Sequence, residues 1–156
     1  MDKVQFDTYC KLLSNYLAEF ELECCMPCFA RYVERSLDDV LKELDETFSE
    51  SLFCLIDERG LDDVVVYKRA LVDRRLFSKI KKDRFYHPKK VTVLAFALAL
   101  ELSLDECLDL LGRAGYTLSC SDRFDLVVRF CFEHEIYNIF EVNEFLDLYG
   151  LELIGV

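Results

Sequence analysis

The chain is 156 residues long, 53% hydrophobic and 31% charged, with five glycines and two prolines. That is enough apolar material for a folded core, and too little glycine and proline for long linkers or turn-rich β architecture. The net charge of −11 argues against indiscriminate nucleic-acid binding, and no charge-free apolar stretch reaches the ~18 residues of a membrane span. Over residues 3–20, Val4, Phe6, Tyr9, Leu12, Leu13, Tyr16 and Phe20 recur at helical spacing. Pro27 stands where a helix can begin, and Ser36 with Asp39 resembles an N-cap pair ahead of Leu37, Val40, Leu41 and Leu44. Thr47 and Glu50 have capping-box spacing and open a helix at 48–59, which turns Phe48, Leu52, Leu55 and Ile56 inward and closes at Gly60. Asp62 or Asp63 caps a short helix to about Leu71. Asp73 caps the next, 74–83, whose apolar positions are Leu76, Phe77 and Ile80.

After His87-Pro88 the run Val91–Leu100 is apolar almost all round. Its length would allow a strand, but its alanines and leucines favour a buried central helix. Ser103 and Glu106 form a second capping box for a helix at 104–114, ending near Gly115. Helices at 122–134, with Phe124, Val127, Val128 and Cys131 inward, and at 139–149, opened by Asn138 with Glu141 and ended by Gly150, complete the chain. The fold class is all-α. Three segments are expected: an N-terminal helical piece at 1–46, a central domain at 47–118, and a C-terminal helical pair at 119–156.

The charge is unevenly spread. Ten of the 19 basic residues lie between Lys68 and Lys90, opposed only by Asp73 and Asp83, so this window carries +8 and the remainder −19. Such asymmetry is the most informative feature of the composition, and it suits either a local interaction surface or a solvated face on a retained fold. No signal-peptide core follows Met1, which makes the expected location cytoplasmic. The eight cysteines, at 10, 24, 25, 28, 54, 107, 120 and 131, are scattered, and a chain with this much core reads as carrying free thiols.

Residues 50–116 resemble the lambda-repressor-like (Xre-type) helix-turn-helix family, about 65 residues of the chain. The likeness rests on Leu55-Ile56-Asp57-Glu58-Arg59-Gly60, Val66-Tyr67-Lys68-Arg69-Ala70 and Val72-Asp73-Arg74-Arg75-Leu76-Phe77-Ser78-Lys79-Ile80. It continues through His87-Pro88-Lys89-Lys90-Val91 into Ala95–Leu102 and Ser103-Leu104-Asp105-Glu106. It implies a five-helix core with additional N- and C-terminal helices and a third helix that enters the DNA major groove. Carried over by position, Arg74, Arg75, Ser78 and Lys79 would read base edges. Lys68, Arg69, Lys81, Lys82, Arg84, Lys89 and Lys90 would contact phosphates. Asp62 and Asp63 stand where DNA-binding members often carry glutamine, and Lys81-Lys82-Asp83-Arg84 where the family usually has a glycine. The function implied is a dimeric bacterial transcription regulator that binds double-stranded DNA. The alternative is a non-catalytic protein-interaction module on the same fold. The stretch from Phe48 to Gly155 is also similar to a helical accessory segment of some bacterial macro-domain proteins. That resemblance implies an accessory module joined to an effector, and 156 helical residues leave no room for the macro domain itself.

No enzyme signature stands out. Cys25-Met26-Pro27-Cys28 is the only CxxC, without the second pair that zinc requires, and reads as plain thiols, although a helix N-terminus there would lower a thiol pKa. His87 suits either a phosphate contact or an ordinary loop position. His134 falls at a helix end where positive charge is favourable. The acidic pairs Asp38-Asp39, Asp62-Asp63 and Asp105-Glu106 fall at helix starts. No metal or cofactor is expected. Tyr137, Ile139, Phe140, Phe145, Leu146, Leu148, Tyr149 and Leu151 crowd the C-terminal helices, as core or as a dimer face.

Overall fold

The most apolar segment of the sequence occupies the centre of the fold. Residues Val93 to Leu100 are all buried, with Phe96, Leu94 and Ala97 fully so. They form a helix, not a strand. The computed structural model describes residues 45–155. The chain divides into two units, Met1–Asp45 and Glu46–Val156, and every described helix belongs to the second. The helices expected at 3–20, after Pro27 and at 37–44, together with Cys10, Cys24, Cys25 and Cys28, lie outside the described residues.

Among the described residues there are seven helices and no strand. They are α1 (Phe48–Glu58), α2 (Asp63–Arg69), α3 (Arg74–Lys82), α4 (Lys90–Ala99), α5 (Leu104–Arg113), α6 (Arg123–Glu133) and α7 (Ile139–Leu148). None of them is long and apolar enough to cross a membrane. Both capping boxes form. The Glu50 carboxylate accepts from Thr47 N at 2.9 Å and the Glu106 carboxylate from Ser103 N at 2.8 Å, while each hydroxyl accepts the returning N–H. Asp62, Asp73, Asp122 and Asn138 cap α2, α3, α6 and α7 through their side chains.

Six of the seven helices end in the same way. The residue after the C-cap takes a positive φ, and the next N–H reaches back across the last turn, as from Leu61 to Ile56 O, Leu102 to Ala97 O and Ile136 to Cys131 O. Gly60, Gly115 and Gly150 fill three of these positions, and Leu71, Glu101 and Glu135 the other three. Helix α3 is the exception. Its C-cap Asp83 is extended, which releases the chain into a turn.

Helix α4 packs against α2, α5 and α7, α1 packs against α3 and α5, and α6 bridges α5 and α7. The C-terminal tail folds back on α7, where Asn143 donates to Ile154 O and accepts from Ile154 N, both at 2.9 Å. Ile154 is fully buried there.

Candidate nucleic-acid interface

Helix α3 is sharply two-faced. Its inner side carries Phe77 and Ile80, both buried, with Leu76 packed beside them. Phe77 meets Phe53 of α1 edge-on at 5.5 Å, Tyr67 of α2 at 5.6 Å and Phe96 of α4 at 6.0 Å. One ring therefore fixes α3 to three neighbours and sets the direction of its opposite side. That opposite side carries Arg74, Arg75, Ser78, Lys79 and Lys82, at helical spacing along one face. The four cations are exposed, Ser78 is half-buried, and no cation of this face is in an ion pair among the described residues. Lys79 lies over the Tyr86 ring, 5.2 Å from its centroid. The two acids of the basic window act as backbone acceptors. Asp73 takes the N–H of Arg75 at 2.6 Å, and Asp83 takes that of Phe85 at 3.1 Å.

The remaining basic residues divide. Lys90 is drawn inward: its ammonium meets both oxygens of the buried Asp125 at 2.6 and 2.7 Å, and Asp125 also accepts from Ser119 N. Lys81 pairs with Asp63 of α2 at 2.5 Å, Arg84 with Glu50 of α1 at 2.8 Å and Arg69 with Glu101 at 3.5 Å. Lys68 and Lys89 are exposed, with no ion pair among the described residues. The basic window is therefore not one continuous patch. It is a ridge of α3 cations flanked by charges already committed to carboxylates.

Beyond α3 the chain turns tightly at Asp83–Tyr86. Tyr86 N donates to Asp83 O at 3.1 Å, and the buried Ser49 hydroxyl donates to the same oxygen at 3.2 Å. At the tip, Phe85 is 71% exposed. Sequence reasoning passed over this ring, although an aromatic inside a basic run outside helical register is the signal that would find it. His87 follows, exposed, with Nδ1 3.1 Å from Pro88 O and its ring edge-on to Tyr116.

No family model, curated protein or solved structure matches the chain.

Other candidate positions have structural surroundings. Cys54 and Cys120 are exposed free thiols, while burial pushes Cys107 up to about 12 and Cys131 up to about 11. His134 caps α6, with Nδ1 2.9 Å from Phe130 O and its ring stacked on Phe130. Among the described residues, no group of three or more His, Cys, Asp or Glu side chains is placed to hold a metal ion. The C-terminal aromatic-rich segment splits. Ile139 and Leu146 enter the core, whereas Phe140, Phe145, Leu148 and Tyr149 remain exposed. Phe145 touches Phe130 of α6, and Leu126 is exposed one turn before Phe130, so an apolar strip crosses the α6–α7 pair.

Proposed function

We propose that this chain is a DNA-binding regulator of the helix-turn-helix kind, with α1 to α5 as a repressor-like core and α3 as the reading helix. The observation that carries the proposal is the α3 face. Arg74 and Arg75 project from its first turn and Lys79 from its last, free of carboxylate partners among the described residues, on a helix packed from behind through Phe77. Arginine at such positions matches the paired acceptors of guanine in the major groove. Lys82, Lys89 and Lys68 remain available for phosphates. Lys90 does not, and Lys81, Arg84 and Arg69 must first leave their acidic partners. The apolar strip on α6 and α7 supplies a face for a second copy, as two-fold half-sites require. The chain acts without catalysis in this reading.

The test is fluorescence anisotropy against a randomised duplex pool across a salt series. Binding should tighten steeply as salt falls. The double variant Arg74→Ala, Arg75→Ala should retain its helical circular dichroism, because both side chains are exposed, and lose at least tenfold in affinity (about 1–3 kcal/mol for each bidentate base contact). Absence of binding by the unaltered protein at the lowest salt removes the proposal.

A second reading draws on the α6–α7 strip and the −19 carried outside the basic window. Here the fold is a protein-interaction module that docks a partner or effector domain. Capture of a stoichiometric protein partner, unaffected by charge reversal at Arg74 and Arg75, separates it from the first.

A further inference from the structure

We infer that Phe85 is a stacking wedge that inserts at a loosened base step beside the α3 contact, so that the protein selects duplexes easily unstacked at that point. This rests on the DNA-binding reading and specifies how the DNA is recognised. The ring gives little to the fold, being 71% exposed. Yet its turn is held from several sides. Phe85 N donates to the Asp83 carboxylate, Ser49 and Tyr86 N both donate to Asp83 O, and Arg84 Nε bonds Glu50 at 2.8 Å. An aromatic presented on an ordered turn loses little conformational freedom when it stacks on a partner.

The surroundings name the partner. The Arg84 guanidinium lies 5.5 Å from the ring centroid, and Lys82 and Lys89 stand on either side in sequence with no ion pair among the described residues. By contrast, the exposed Phe140, Phe145 and Tyr149 belong to a segment with Glu141, Glu144 and Asp147. Arg84 is paired with Glu50, and the Asp83 carboxylate holds the Phe85 N–H, so the unpaired cations nearest the ring in sequence, among the described residues, are Lys82 and Lys89. This arrangement suits phosphates flanking a base face once Arg84 leaves Glu50. Apolar side chains inserted between base steps unstack and kink a duplex, and this is cheapest where stacking is already weak.

The experiment compares one short duplex with copies carrying a single mismatch moved stepwise along it, with 2-aminopurine beside the mismatch to report unstacking. The unaltered protein should bind the best-placed mismatched duplex roughly tenfold more tightly than the intact one, the effect of one aromatic–base stack. Phe85→Ala, confirmed as folded by circular dichroism, should bind both duplexes equally and should lose the 2-aminopurine response. Phe85→Trp should keep both. Equal binding of all duplexes by the unaltered protein, or a preference that survives in Phe85→Ala, overturns the wedge and leaves DNA binding standing. Failure to bind any duplex at the lowest salt removes both readings together.

Discussion

Glu135 holds a φ of 56° where α6 ends, a left-handed conformation that glycine adopts without steric cost and that an L side chain resists by about 1–2 kcal/mol. Its carboxylate is exposed and in no ion pair among the described residues, so little is lost by removing it. Glu135→Gly should therefore raise stability by about 0.5–1 kcal/mol, after glycine's greater freedom in the unfolded chain is set against the relieved strain. A shift of the urea midpoint at constant slope would show it, and no gain would mean that the strain is already relaxed. The mirror substitution is Gly60→Ala, with φ +60 and open space around the missing Cβ, so its expected cost of about 1 kcal/mol is purely conformational. Gly60, Gly115 and Gly150 are legible in the sequence as helix ends because glycine is the usual residue there. Nothing in the local composition distinguishes Leu71, Glu101 and Glu135, whose left-handed turns are imposed by the packing of the helices they join.

Helix starts are the most readable part of this protein, because a cap is a local bargain between a side chain and an N–H two or three residues away. The Thr47–Glu50 and Ser103–Glu106 boxes and the Asp73 cap of α3 follow from spacing alone, and spacing narrows the cap of α2 to Asp62 or Asp63. The Glu106 carboxyl is held below its ordinary 4.5 by the Ser103 N–H, against some desolvation, with help from Arg59 at 2.9 Å. A lowered folded-state value means that the stabilisation is present above about pH 4.5 and fades as pH falls through the lower, folded value. Glu106→Gln should thus flatten the acid side of the stability profile while leaving its neutral slope alone, as urea midpoints taken between about pH 3 and 7 would reveal. What spacing cannot show is a bond between helices. Lys90 reads as one more cation of the basic run, and its partner Asp125 lies 35 residues away, so the link between the start of α4 and the start of α6 exists only in three dimensions. Asp125 is 3% exposed. Asp125→Ala leaves an ammonium partly buried without its counter-charge and should cost about 3 kcal/mol, whereas pairing Asp125→Leu with Lys90→Met should restore most of it. If the single variant is as stable as the original, the bond contributes nothing to folding.

The separation of charge that the sequence displays, +8 in one window against −19 elsewhere, is refined by the fold more than it is preserved. Chain order places all ten cations together, but tertiary packing sets carboxylates against four of them, Arg84, Lys81, Lys90 and Arg69. The four on the outer face of α3 are left for a ligand. Helical periodicity within 74–83 assigns Leu76, Phe77 and Ile80 to the inner side, whereas Arg74, Arg75, Ser78 and Lys79 stand out in the sequence only through the helix-turn-helix resemblance. The carboxylate partners were not legible, because they come from segments 18 to 35 residues distant. This arrangement makes Asp63 an internal competitor of any polyanion at α3. Its carboxylate is bound to Lys81, and the pair is largely exposed, so the bond itself is worth little to stability. Asp63→Asn removes a negative charge beside the ridge and frees Lys81 to meet a phosphate. Under the proposed DNA-binding reading, affinity for duplex DNA should rise a few-fold, and the slope of log affinity against log salt should steepen by up to about one unit, the contribution of one additional phosphate contact. Lys81→Gln in the same background should cancel the gain. An unchanged slope in Asp63→Asn would place Lys81 outside the DNA contact and confine recognition to the face bearing Arg74, Arg75, Ser78, Lys79 and Lys82.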